Sequence, residues 1–225
     1  MYSCNTKSVT NFSKKRDKNE SNISMQSINN QIITKIKKNG RGKIIFTKDF
    51  TFLGTEFAIR QSLSRLCKDG MIVRLAAGIY LYPKISKLIG IVYPSVEEIV
   101  KQIAKREKSR IVPTGLYALN KIGLSTQVPM RFVFLTDGAA RELKIAGVNV
   151  KLQKTIAKNL SFKGRITILV VFALKEIGKD NVTQDELHRI NELLQHESKE
   201  TIMHDSKLAP NWIAEILLNS SKKAG

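Results

Sequence analysis

Between Thr55 and Gly70 the chain carries Arg60, Gln61, Ser64, Arg65 and Lys68, spaced so that a helix gathers them on one face. Arginine and glutamine present paired hydrogen-bonding groups that match guanine and adenine edges, and a lysine at a helix end suits a phosphate. Glu56 is the one acidic residue beside them. An ordinary solvated helix face mixes both signs, so this near-uniform charge points to binding in the major groove of DNA. Arg74, six residues beyond Lys68, is a candidate phosphate contact. The opposite stripe of the same helix is Ile59, Leu63 and Leu66, with Ala58, Ser62 and Cys67 beside it, and this stripe must pack on other elements.

Those elements are legible on either side. Met25, Ile28, Ile32, Ile33 and Ile36 recur at helical spacing and stop at Asn39-Gly40, a C-terminal cap. Lys43 to Thr47 is a short β-branched segment, Thr47 to Phe52 a short second helix, and Thr55 opens the third, which ends at Asp69-Gly70. Met71 to Leu75 and Ile79 to Tyr82 form a hairpin about Ala76-Ala77-Gly78, with Leu75, Ile79 and Leu81 in the core and Tyr80 and Tyr82 as packing residues. Helix, strand, helix, helix and hairpin over residues 25–84 predict a winged helix-turn-helix.

The remainder predicts a second, mixed α/β domain with a small antiparallel sheet over residues 91–197, so the fold class is α+β. Pro83 to Gly90 reads as the linker. Ser95, with Glu98 three residues on, forms a capping box for a helix running to Arg106, and Pro113 to Lys121 reads as a further short helix. Arg131 to Thr136 is an alternating strand, Asp137-Gly138 a turn, Arg141 to Ile145 the returning strand, and Val148, Val150 and Leu152 a third. Ile166 to Ile177 is a buried helix, and Thr183 starts another through Leu194. Arg131, Arg141, Lys144, Lys151 and Lys154 lie on or beside the strands. If Arg141 pairs across the hairpin from Arg131, they supply a second basic face. Residues 1–24, with Lys14, Lys15, Arg16 and Lys18, read as a flexible basic arm, and residues 198–225 as a polar extension.

Charge agrees with a polyanionic partner. The 225 residues include 38 Lys and Arg against 19 Asp and Glu, a net of +19. Residues 25–90 carry 12 basic and 3 acidic side chains and residues 91–174 carry 14 and 5, so the excess lies in folded-type sequence. No apolar run approaches the ~20 residues of a membrane span, and two cysteines, Cys4 and Cys67, make no disulfide framework. The expected address is the cytoplasm, with no membrane partner.

Enzymatic constellations are missing from the pattern. His188, His196 and His204 have no zinc spacing, Gly40-Arg41-Gly42-Lys43 is too short for a phosphate loop, and Ser95 and Ser125 sit in no nucleophile elbow. The expectation is a binding protein, not an enzyme, without metal or cofactor.

The string Gly70-Met71-Ile72-Val73-Arg74-Leu75-Ala76-Ala77-Gly78-Ile79-Tyr80, with Pro83 after it, resembles the wing of the AbiEi-type antitoxin family. Pro113-Thr114-Gly115, Ala118-Leu119-Asn120, Gly123 to Pro129 and Phe134-Leu135-Thr136-Asp137-Gly138 resemble the signature of that family's second domain, so the likeness runs from Ile32 to Gly178. It implies a bacterial type IV toxin-antitoxin system. The antitoxin would repress its own operon through double-stranded operator DNA; because winged helices often bind inverted repeats in pairs, two molecules per operator are expected. It would counter a nucleotidyltransferase-like toxin without a stable complex. Ala77 stands where relatives commonly carry a basic residue before Gly-Ile-Tyr, which removes one backbone contact. The competing reading from the residues is an RNA- or ribosome-associated basic module.

Overall fold

The computed structural model describes residues 28–223, and the expected arm at residues 1–24 lies outside them. The chain divides into two compact units, residues 1–95 and 96–225. In the first, helix α1 (28–39) ends at Gly40, whose φ of +83° is the left-handed conformation that glycine adopts without strain. Strand β1 (Ile44–Phe46) leads into a 3-10 turn, Thr47–Leu53, and then helix α2 (Glu56–Lys68). Thr55 caps α2 by accepting from the Ala58 N–H. At the other end Met71 N–H reaches the Leu66 carbonyl and Gly70 N–H the Cys67 carbonyl, a Schellman stop made possible by Gly70.

Strands β2 (Val73–Ala76) and β3 (Ile79–Leu81) follow, and the sheet order is β1-β3-β2, antiparallel throughout. Ile32 and Ile36 of α1, Ile45, Phe50, Ile59, Leu63, Leu66, Ile72, Tyr80 and Tyr82 form one buried cluster. The apolar stripes read along both helices are therefore the ones that meet. Leu75, Ile79 and Leu81 are buried, and so is Tyr80 between the last two, so β3 is covered on both faces. The segment expected as a linker is ordered: β4 (Lys84–Ser86) pairs antiparallel with β5 (Gly90–Val92).

The second unit opens with α3 (Val96–Arg106), directly after Ser95. Pro113 belongs not to a helix but to strand β6 (Ile111–Thr114), and only after Gly115, at φ +64°, does α4 (Leu116–Lys121) begin. Proline is tolerated there because β6 is an edge strand. The expected hairpin is also corrected. Strands β7 (Arg131–Thr136), β8 (Arg141–Ile145) and β9 (Val148–Lys154) lie in the order β6-β7-β9-β8. Strand β9 inserts between the other two, parallel to β7 and antiparallel to β8, so the sheet is mixed. Phe134 and Leu135 point to opposite faces of β7 and both are buried, so the end of this strand is covered on both sides.

Helix α5 (Arg165–Ile177) is the centre of the main core, with Val170 to Leu174 all buried. Helix α6 (Gln184–Leu194) starts at a Thr183–Glu186 capping box. Residues expected as a polar extension instead form α7 (Lys199–Ser206) and α8 (Asn211–Lys223). Ile202, Ile213 and Leu217 join the α5 cluster. Asp205 of α7, with no exposed surface, accepts from the backbone N–H groups of Lys163 (2.9 Å) and Gly164 (2.8 Å) where α5 begins. The apolar residues of this segment are spaced at helical intervals but diluted by polar ones, which hid its amphipathic character.

Candidate nucleic-acid interface

In the first unit the outward face of α2 is largely open to solvent. Arg60, Ser64, Arg65 and Lys68 are exposed, while Ala58, Ile59, Ser62, Leu63 and Leu66 are buried. Arg60 donates to Glu56 at 2.5 Å, one turn back, and both side chains are about two-thirds exposed. This ion pair fixes the guanidinium near the start of the helix but leaves most of its donors free. Gln61 departs from the expectation. It is half-buried, and its Oε1 is shut off from solvent without a hydrogen-bond partner among the described residues. The oxygen that would accept from an adenine edge is therefore turned away from solvent. Helical spacing could not reveal this, because Gln61 sits beside the buried Ser62 and its orientation is a packing outcome.

Arg74 is brought to α2 by the sheet. Gly78, at φ +71°, makes the turn between β2 and β3, and a register shift between Arg74 and Ala76 bulges Leu75 inward. Thr47 closes on the same turn, its N–H donating to the Gly78 carbonyl at 3.0 Å. The result is a concave surface of about 450 Å³ lined by Arg60 and Ser64 of α2, Arg74 of β2, Ala77, Gly78, Tyr80 and Thr47. Its formal charges are both positive. Behind it, burial pushes the Cys67 thiol up, and the Arg74 charge offsets that only in part. One residue of α2 was not singled out by spacing: Phe57 is an exposed aromatic, whereas the exposed Phe52 before the helix lies against Lys35 of α1.

The basic residues of the second unit do not assemble as one face. Residues directly opposite in a sheet share a face. Arg131 lies opposite Asn149, Lys144 opposite Asn149 and Lys151 opposite Glu142, so Arg131, Lys144, Lys151 and Glu142 share one side. Arg141 is opposite Leu152 and Lys154 opposite Thr136, on the other side. Arg131 also pairs with Glu142, and Arg141 with Glu107 at 2.6 Å. The expected Arg131–Arg141 pairing fails because β9 lies between their strands.

A polar network in the same unit escaped the sequence reading, which singled out the neighbouring Glu98. Glu97 of α3 is buried and accepts hydrogen bonds from Tyr117 Oη at 2.6 Å and from Lys121, with Lys101 Nζ at 2.7 Å. Burial alone would raise its pKa, but the bonds from Lys101, Lys121 and Tyr117 outweigh it and hold the carboxyl at about 2. Burial and the Glu97 bond both push the Tyr117 phenol up. Every strong donor is thereby matched, which is the pattern of a structural tie. Among the described residues no group of three or more His, Cys, Asp or Glu side chains is placed to hold a metal ion, and no helix is long and apolar enough to cross a membrane.

No curated protein matches this sequence. The crystal structure of the RV2827C protein from Mycobacterium tuberculosis is similar in fold, with a TM-score of 0.50 and 16% identity over 87% of this chain and 77% of that one. Residues 31–202 match the family described as a family of unknown function, DUF6088. That match spans most of both units, and the chain belongs to this family.

Proposed function

We propose that the protein is a sequence-specific double-stranded DNA-binding antitoxin that represses its own operon. The first unit is read as a winged helix-turn-helix, with α2 as recognition helix and the β2–β3 hairpin as wing. One observation carries the reading: Arg60 and Ser64 of α2 and Arg74 of the hairpin surround a single concavity whose charges are all positive. A phosphate backbone tracked by Arg74 would leave Arg60, Ser64, Arg65 and Lys68 along the adjacent groove. Gln61 is left out of the contact set because its amide oxygen is enclosed. The antitoxin role, against a nucleotidyltransferase-like toxin, rests on the resemblance of the hairpin and second-unit strings to the AbiEi-type family.

A gel-shift titration on the protein's own upstream region tests this, with random DNA and duplex RNA of equal length as competitors at two salt concentrations. Tight binding that neither competitor displaces is the expected result. Equal displacement by all three would refute sequence-specific DNA binding, and preferential loss to duplex RNA would favour an RNA-associated module. Co-expression with the neighbouring gene tests the antitoxin half: growth arrest relieved by this chain is expected, and unrelieved arrest would refute it.

A further inference from the structure

Helix α2 buries all but one of its large apolar side chains. The exception is Phe57, 72% exposed in the first turn. Counting three, seven and eleven positions on from Phe57 gives Arg60, Ser64 and Lys68, so the ring heads the same stripe as the polar groups assigned to the groove. Phe52, the other exposed aromatic here, has a partner in its own unit, since Lys35 Nζ lies 4.2 Å from its ring centre. Phe57 has no ring or cation contact among the described residues. The fold therefore does not account for an aromatic at this position.

The groove does account for it. Base edges in the major groove show donors and acceptors, and the apolar group among them is the C5 methyl of thymine. The N-terminal residues of a recognition helix are those that reach base edges. We infer that Phe57 is a specificity determinant that selects a thymine in each half-site by packing its ring on the C5 methyl, while Arg60 and Ser64 hold the register. This rests on the DNA-binding reading above. Because 5-methylcytosine presents the same methyl at the same place, the site discriminates a methylated pyrimidine from an unmethylated one, whichever base carries it.

The test uses the full chain and its preferred duplex, with each thymine replaced in turn by deoxyuridine, which lacks only the methyl. At one position per half-site, affinity falls about fourfold, the equivalent of one lost methyl group at ~0.8 kcal/mol. Phe57→Ala binds the thymine duplex more weakly and does not distinguish thymine from uracil there, while Phe57→Leu retains the distinction in part. With a guanine partner at that position, 5-methylcytosine binds tighter than cytosine to the wild type but not to Phe57→Ala. Circular dichroism of both variants, unchanged, verifies that an exposed side chain was altered without loss of fold. Indifference to uracil at every position, in a duplex that random DNA cannot displace, would overturn the inference and leave the DNA-binding reading intact. An equal loss by Phe57→Ala on thymine and uracil duplexes would also overturn it. Absence of any preferred duplex would overturn both.

Discussion

At the scale of single residues, charge does two different things in this molecule. Glu56 engages Arg60 in a largely exposed pair, which contributes little to stability. Glu97 is buried, while Lys101 and Lys121 reach it from positions that stay partly in solvent, so losing the carboxylate removes its charge-assisted hydrogen bonds without burying an unpaired cation. Glu97→Gln is expected to destabilise the second unit by ~2 kcal/mol in denaturant unfolding. The pH dependence has a definite sign. Folding lowers this carboxyl from 4.5 to about 2, so its contribution is complete above pH 4.5 and is lost as pH falls toward 2. Wild-type stability therefore declines through that window, and the Glu97→Gln variant declines less. Equal slopes would show that the network does not carry the acid sensitivity. On the proposed DNA-binding face, Arg74→Ala is expected to weaken specific and random DNA alike and to shallow the log-log salt dependence by about 0.9, the signature of one phosphate contact.

Among elements, the C-terminal helices change most on passing from sequence to structure. Residues 198–225 have the composition of an extension, yet α7 and α8 close the core around α5 and supply the carboxylate at its start. Asp205→Ala removes the hydrogen bonds from the Lys163 and Gly164 N–H groups and the His204 Nδ1 contact at 2.8 Å, all made by a fully buried carboxylate, and a loss of ~3 kcal/mol is expected in chemical denaturation. Truncation after Glu197 should abolish cooperative unfolding of the second unit, because it strips Ile202, Ile213 and Leu217 from the cluster. A truncated chain that melts like the full one would contradict this packing role. The β4–β5 ribbon differs in kind. Its strands are three residues each, and Ile85, Leu88, Ile89 and Ile91 are exposed, so little burial within the chain stabilises it.

For the molecule as a whole, the net charge of +19 sets the physics of association. Binding to DNA should weaken steeply with salt, with a slope of about −0.9 per phosphate neutralised. An inverted-repeat operator mirrors a pair of protein copies, so footprinting is expected to protect two half-sites. Protection of a single half-site would refute that stoichiometry. The second basic face shows why total charge is a poor guide to a surface. Five cations close in sequence are divided between the two sides of one sheet, and two are paired with glutamates.

Local patterns sufficed for much of the first unit, though not for the β4–β5 ribbon, which read as a linker. The stripes of α1 and α2, the caps at Thr55 and Gly70 and the Gly78 turn between β2 and β3 are short-range signals, each decided by a few neighbouring residues. Those signals also separated the buried stripe of α2 from the exposed Arg60, Ser64, Arg65 and Lys68. They could not reveal that Gln61 turns its amide oxygen inward, since that depends on what packs beside it. Nor could they order the second sheet. Asp137-Gly138 is a good turn in any context, but whether β7 pairs with β8 or with β9 depends on contacts between segments that local periodicity does not encode. The burial of α7 and α8 was hidden for the same reason. Helical spacing shows that a weakly apolar face exists, and only the assembled core around α5 determines that this face is covered.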